Sequence, residues 1–309
     1  MRIRLVVNAF ASSVTARNTV IVHQVLSRGN EVEVVETNRR GHATRFSQDA
    51  ARQGVDVVIG YGGDGTLNEV ATGVAGTETA LGVLPGGSTN VFARTLGMPN
   101  DPVKAVQQLA DGINNRHIEP IGLGRVNGRY FCFHTGVGYD AAVVKEVEKH
   151  GSLKRWAGHP LFIYAGMRTM ARYDRTSPHF AVDFANGDRV ADGYFTVVLN
   201  TNPYTYLGNR PLDLSPAANL ERGLVVITFK TLKVMAVLKS LGGALRGGGV
   251  KASDTLDVHE DIEAFRISHH EPFPYQLDGD YLGEIDELNF KHVPDAIRLV
   301  RPNIDIVVR

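Results

Sequence analysis

Between residues 3 and 111, short apolar runs alternate with helical patterns. Runs at 3–7, 31–36, 55–59 and 80–84 read as strands, and stretches at 15–27, 43–53, 66–75, 88–96 and 102–111 read as helices. Strands joined by helical crossovers lie parallel and are covered on both faces, so this rhythm selects a parallel sheet wrapped by helices. From about residue 118 the rhythm changes. Strand patterns at 180–184, 194–199, 224–228, 255–259, 264–268 and 275–277 are broken by hairpin signals, Asn127-Gly128 and Asn186-Gly187 the strongest, and by helical patterns at 139–148, 161–173 and 230–245. The expectation is α/β plus β: a Rossmann-like α/β domain over residues 1–117, then an antiparallel β-sandwich or barrel over 118–309 whose C-terminal tail can return to the first domain. A chain of 309 residues suits two domains. The join at 112–120 carries no long flexible linker, which predicts close packing with a cleft between the domains.

Composition narrows the partners. Formal net charge is zero, which argues against a general nucleic-acid binder. The one cysteine, Cys132, excludes an internal disulfide and suits a thiol-keeping cytosol. No apolar run reaches the ~18 residues of a membrane span. The first ten residues, MRIRLVVNAF, turn polar too soon for a signal peptide and read as a first strand. The eleven histidines show no zinc-ligand spacing, and His42 reads as part of a turn before a helix.

The strand at 55–59 runs straight into GYGGDGTLNEV, residues 60–70. A strand, a glycine turn and a helix start together form an anion site, because glycine amides approach a phosphate unobstructed and the helix dipole favours negative charge. Asp64 in this turn would repel phosphates unless a cation stands between, and Mg²⁺ carried by ATP is the natural intermediary. Capping alone also explains the turn: Thr66 and Glu69 form a T-x-x-E capping box. There is no G-K-[ST] and no G-x-G-x-x-G, which argues against P-loop and simple dinucleotide enzymes. A second strand, 80–84, runs into PGGSTNVFAR, residues 85–94, with Ser88, Thr89 and Asn90 as polar groups. Parallel strands end on one edge, so two such turns can converge on one ligand; a plain Ser/Thr N-cap is the competing account.

The pair GGDGTLNEV and LPGGSTNVFAR resembles the diacylglycerol kinase catalytic-domain family, which includes bacterial soluble lipid kinases, sphingosine kinases and ceramide kinases. The stretch from Thr37 through the G-H-A of residues 41–43, and later GVGYDAAVV and LDGDYLG, are similar to further family segments. The likeness spans nearly the whole chain; GGDGT alone is shared with NAD kinases and, loosely, phosphofructokinases. It implies a phosphofructokinase- and NAD-kinase-like first domain with ATP along it. Asn8 and Thr37 would lie near the nucleotide, Gly62, Gly63, Asp64, Gly65, Thr66 and Asn68 would line the phosphates with Glu69 close by, and Ser88 would donate from the second turn. Relatives often carry D-G-E where this chain has Asp278-Gly279-Asp280, so Asp280 becomes the catalytic base, one methylene shorter. Asp64 would hold the Mg²⁺ of Mg·ATP, directly or through water.

Two segments depart from the family pattern. The first-strand loop reads VNAFAS, and Glu221-Arg222 stands where some bacterial members have an acidic pair holding a structural Mg²⁺; an arginine cannot ligate it. The implied reaction is phosphoryl transfer from ATP to diacylglycerol, giving phosphatidic acid. A sphingoid base, another lipid alcohol or NAD⁺ are alternative acceptors, and an inactive nucleotide- or lipid-binding relative is the non-enzyme alternative. A lipid acceptor implies peripheral contact at the inner face of the cell membrane; a homodimer is left open. Two acid-free stretches, 149–173 and 223–253, suit such contact. In the second, Val234, Val237, Leu238, Leu241 and Leu245 form one helical stripe with Lys233, Lys239 and Arg246 off it, as in an interfacial helix or a helix packed on its own core. In the first, Trp156, Phe162, Tyr164, Met167 and Met170 suit a buried helix or an acyl-chain pocket wall.

Overall fold

A computed structural model of the protein describes residues 1–149, 165–166, 168–169, 172–173, 177 and 179–305, without the side chains of residues 238 and 241. Trp156, Phe162, Tyr164, Met167, Met170 and most of the helix expected over 161–173 lie outside the described residues. The chain divides into two compact units, Met1–Leu123 with Pro294–Arg309, and Gly124–Val293.

In the first unit β1 (Arg2–Val7), β2 (Glu31–Glu36), β3 (Val57–Gly62) and β4 (Ala80–Pro85) form a parallel sheet in the order β2-β1-β3-β4. Near the end of the chain, Arg298 and Leu299 pair in parallel with Ala80 and Leu81 and extend it. The registers finish together: Val7 lies beside Glu36 and Tyr61, and Gly62 beside Pro85. The polar turns that follow these strands are therefore gathered along one edge. Helices α1 (Ala16–Leu26), α2 (His42–Arg52), α3 (Asp64–Val74), α4 (Val91–Thr95) and α5 (Pro102–Asn114) make the crossovers. Asp101 starts α5 by accepting the Val103 and Lys104 amides ahead of Pro102. Leu5, Ile59, Leu67, Val70 and Leu81 are fully buried. Gly60 lets α3 lie close on β3, since a Cβ there would stand 2.8 Å from the Leu67 side chain.

The glycine motif is distributed differently from the expectation. Gly60, Tyr61 and Gly62 belong to β3, and α3 starts at Asp64 rather than Thr66. The second helix is shorter than expected, beginning at Val91, because Asn90 takes a left-handed φ of 51°.

The second unit is strand-rich and mostly antiparallel. The chain enters it along β5 (Ile118–Val126), which turns at Asn127-Gly128 into β6 (Arg129–Phe131). There follow β7 (His134–Gly138), α6 (Tyr139–Glu148), β8 (Phe180–Phe184), β9 (Arg189–Gly193), β10 (Phe195–Leu199), β11 (Thr205–Leu207), β12 (Arg210–Leu212), β13 (Leu224–Phe229), α7 (Val234–Ala244), β14 (Leu256–Ile262), β15 (Ala264–Leu277) and β16 (Asp280–Val300). The main order is β14-β13-β10-β7-β15-β16. The patterns at 264–268 and 275–277 prove to be one strand, β15, whose register against β16 shifts between Ser268 and Phe273. One core gathers Phe131, Phe180, Ile267 and Phe273, and another Phe195, Phe229, Val237 and Leu256. The expected stripe divides: on α7 Val237 is buried and Val234 about half exposed, Leu245 falls in the turn beyond the helix and is also about half exposed, and Met235 is 77% exposed. Among the described residues no helix is long and apolar enough to cross a membrane.

Candidate active site

The two glycine turns of the first unit lock together backbone to backbone. The Gly86 amide donates to the Gly62 carbonyl at 2.7 Å. A Cβ on Gly86 would meet the Gly62 Cα at 2.8 Å and N at 2.9 Å, and one on Gly87 would meet the Gly63 Cα at 2.8 Å. None of these four glycines has a positive φ, so close approach is what requires glycine at 86 and 87. Gly63 is different: a Cβ there meets only the Gly87 Cα, at an ordinary 3.5 Å.

Asp64 fastens the same junction. Its two carboxylate oxygens accept the Val91 and Phe92 amides at 3.0 and 3.1 Å, capping α4 from the other turn. Asn90 closes that turn by accepting from the Gly87 amide at 2.7 Å and donating to the Gly87 carbonyl. Asn8, just past β1, donates to the Thr66 hydroxyl at 3.0 Å and so ties the first strand to α3. Thr37 is buried beside it, with its amide on the Val7 carbonyl. Ser88 is exposed at the crest of the second turn. Asn8, Thr37, Gly62, Gly63, Asp64, Gly65, Thr66 and Ser88 thus cluster at the carboxyl ends of the strands, with Asn68 one turn on along α3.

The expected capping box is not formed. The N-cap of α3 is Gly63, which has no side chain to cap with, and Glu69 points to another helix. The Glu69 carboxylate accepts the Gly41 and Ala43 amides at 2.8 and 3.0 Å, and the Thr44 hydroxyl donates to the Glu69 carbonyl at 3.0 Å. Glu69 supplies the cap that Gly41, at the start of α2, lacks. His42 is the first residue of α2, and its Nε2 accepts from Arg39 at 2.6 Å.

In the second unit, Asp278 and Gly279 have φ of 47° and 83°, the two left-handed positions of a tight hairpin between Leu277 and Asp280. The buried Asp278 carboxylate accepts three amides, from Cys132, Phe133 and His134, at 2.7, 3.0 and 3.1 Å. It bolts the hairpin to the 132–134 segment, and Asp280 opens β16 immediately beyond. Asp140, in the first turn of α6, was not singled out from sequence, although it sits in the quoted GVGYDAAVV. Its carboxyl accepts from Tyr204 at 2.6 Å and Gln276 at 2.9 Å. Burial raises its pKa above the ordinary carboxyl value, against the lowering effect of those two hydrogen bonds. Beside α6, a cavity of about 400 Å³ is lined by Ala142, Lys145, His179, Phe273, Pro274 and Glu284 among others. At the departure around Glu221-Arg222, the Arg222 guanidinium lies 3.5 Å from Asp261, which also accepts the Gly223 amide at 2.7 Å.

The diacylglycerol kinase catalytic domain model matches residues 2–126. A protein of Xanthomonas campestris, "Probable lipid kinase YegS-like", is 30% identical over 262 residues, 82% of this chain and 81% of that one. The chain belongs to the diacylglycerol kinase catalytic-domain family. Membership carries the class of reaction, phosphoryl transfer to a lipid with ATP as the implied donor, and leaves the acceptor open. Another family relative, the diacylglycerol kinase of Bacillus subtilis, is 29% identical over 258 residues, 82% of this chain and 81% of its own length. In fold, the chain is similar to a diacylglycerol kinase crystal structure from Bacillus anthracis, with TM-score 0.72 and 19% identity over 99% of this chain and 98% of that one. An NAD kinase from Archaeoglobus fulgidus, solved with ATP, is more distant at TM-score 0.50 and 11% identity, covering 98% of this chain and 94% of its own.

Proposed function

We propose that the protein transfers the γ-phosphoryl group of ATP to the free hydroxyl of a diacylglycerol, giving phosphatidic acid. The observation that carries the reading is the pair of interlocked glycine turns at the carboxyl ends of β3 and β4, in a chain akin to a named diacylglycerol kinase along most of its length. In this reading the turns cradle the triphosphate. The acceptor oxygen attacks the γ-phosphorus, the bond to the β,γ-bridging oxygen breaks, ADP leaves, and the hydroxyl proton passes to Asp280. Such transfer depends mainly on alignment and charge compensation, so a weakly basic carboxylate suffices when proton loss comes late.

Mg²⁺ fits as part of the Mg·ATP substrate. Among the described residues no group of three or more His, Cys, Asp or Glu could hold an ion. Both Asp64 oxygens already accept amides, which favours contact through water over direct ligation. The 400 Å³ cavity beside α6 is of ligand size and suits part of the acceptor. Peripheral membrane contact is supported by the exposed Val234 and Met235 of α7 and Leu245 just after it, with Lys233, Lys239 and Arg246 around them.

The test is transfer of label from [γ-³²P]ATP to diacylglycerol, ceramide or sphingosine in mixed micelles, and to NAD⁺ in solution. Labelled phosphatidic acid as the dominant product is expected, and Asp280→Asn should nearly abolish it while ATP still binds. Preferential labelling of a sphingoid base or NAD⁺ overturns the acceptor, and ATP binding with no labelled product on any acceptor favours a binding protein.

A further inference from the structure

The hairpin that carries Asp280 is held from one side by a single helix, α6. The two backbone amides that flank Asp280 both lead there. The Gly279 amide donates to the Gln276 Oε1 at 2.9 Å, and the Gln276 Nε2 donates to Asp140 at 2.9 Å. The Tyr281 amide donates to the Glu148 carboxylate at 3.0 Å. Asp140 and Glu148 lie at opposite ends of α6. Between them Lys145 pairs with Glu284 at 2.9 Å and sits 5.2 Å from the Tyr281 ring centre.

The Asp140 end is built for this contact. Gln276 is fully buried, and its amide can face only one way while Asp140 accepts from it: nitrogen toward Asp140, oxygen toward Gly279. Gly136, opposite Gln276 on β7, makes the room, since a Cβ there would fall 1.5 Å from the Asp140 Oδ2. Tyr204 fixes the other Asp140 oxygen. The Asp278 bolt holds the tip of the turn, while α6 holds the backbone on each side of Asp280.

We propose that Asp140, acting through Gln276, and Glu148, acting on the Tyr281 amide, are positioning residues that aim Asp280 at the acceptor hydroxyl. This rests on Asp280 being the base. The chemistry of the two links predicts which substitutions matter. An asparagine at 140 keeps an oxygen for Gln276 and donates to the Tyr204 oxygen instead of accepting from it. A glutamine at 148 still accepts from Tyr281. Alanine at either position breaks the link.

The experiment compares Glu148→Ala, Glu148→Gln, Asp140→Ala and Asp140→Asn in steady-state phosphorylation of diacylglycerol in mixed micelles, with rates normalised to folded, ATP-binding protein. Misplacement of a reacting group by about 1 Å costs up to about a hundredfold in rate, so a fall in kcat of about tenfold or more is expected for Glu148→Ala, with KM for ATP unchanged. Asp140→Ala should behave alike, and both amide variants should stay within about twofold of the parent. On an Asp280→Asn background Glu148→Ala should lower the residual rate no further, because its effect runs through Asp280. Parent-like kcat in Glu148→Ala, with Asp280→Asn inactive, overturns the positioning role and leaves the base intact. An active Asp280→Asn overturns both. Should Asp140→Ala fail to fold, the Glu148 pair and the double variant decide.

Discussion

Two neighbouring glycines make opposite predictions. Alanine at 86 would place its Cβ 2.8 Å from the Gly62 Cα, 2.9 Å from the Gly62 nitrogen and 2.8 Å from a Val14 methyl. Two of these three atoms are backbone, so no rotamer change relieves them. Reaching an ordinary 3.4 Å contact requires the turns to part by 3.4 − 2.8 = 0.6 Å. The same movement stretches the Gly86–Gly62 hydrogen bond from 2.7 to 3.3 Å and pulls the Val91–Asp64 bond from 3.0 to 3.6 Å, beyond useful range. Overpacking typically costs about 1–3 kcal/mol and each weakened hydrogen bond about 1 kcal/mol, so Gly86→Ala should destabilise the first unit by about 3 kcal/mol and lower its Tm by about 10 °C.

Gly63 has φ −81° and ψ 179°, ordinary extended backbone, and its added Cβ meets only one atom at 3.5 Å. For folding, Gly63→Ala should therefore be neutral or stabilise by about 0.4–1 kcal/mol through the unfolded chain. For ligand binding it should be harmful: a methyl group at the helix start proposed to carry the triphosphate would block the approach of the phosphates. Thermal unfolding by circular dichroism and ATP titration by calorimetry, run on both variants, separate the two effects. Gly63→Ala should keep its Tm and lose tenfold or more in ATP affinity. Loss of Tm in Gly63→Ala, or parent-like melting of Gly86→Ala, refutes the loop-packing account; full ATP affinity in Gly63→Ala refutes the phosphate cradle.

Three further outcomes follow from the same geometry. Glu69→Ala removes the cap of α2, at a cost of about 1 kcal/mol seen as a lower urea midpoint, while KM for ATP stays constant because the carboxylate serves Gly41 and Ala43. Burial lowers the pKa of His134 to about 3 from the ordinary 6.5. Below pH 6.5 the unfolded chain takes up a proton that the folded chain refuses until about pH 3, so this residue's effect is to weaken folding as pH falls through that window, by up to about 1.4 kcal/mol per unit. In urea titrations His134→Asn should lose less stability than the parent between pH 6.5 and 4.5. Reversing Lys233, Lys239 and Arg246 to glutamate should reduce sedimentation with phosphatidylglycerol vesicles and phosphorylation of vesicle-borne diacylglycerol, with activity on a dispersed short-chain diacylglycerol retained; unchanged sedimentation removes α7 from the membrane contact.

The strands of the first unit were legible because their apolar runs carry their own signal: β2 matches residue for residue, and β1 and β4 nearly so. The Asn127-Gly128 hairpin was legible because left-handed backbone at consecutive positions favours these residues. What sequence left open was the job of each acid. Glu69 has the spacing of a capping box yet caps amides 26 and 28 positions away, Asp64 caps a helix 27 positions on, and Asp278 holds amides 144 to 146 positions back. Local spacing reports only partners within a turn or two; a carboxylate's actual partner is whichever donor tertiary packing leaves near it. The β16 strand escaped notice for a related reason, since Gly283 and Pro294 interrupt its pattern while pairing with β15 supplies the order.

These acids share one construction. In each unit a turn proposed to face the reaction is immobilised by an aspartate that spends its charge on backbone amides of a neighbouring segment: Asp64 on the start of α4, Asp278 on residues 132–134. Charged hydrogen bonds to amides are roughly twice as strong as neutral ones and fix direction as well as distance. For phosphoryl transfer, where alignment carries most of the catalysis, rigid turns are themselves catalytic equipment. The motif acids then divide by position rather than by type. Asp64 and Asp278 set the frame, and Asp280, two residues past the bolt and flanked by amides tied to α6, is the carboxylate proposed to take the proton.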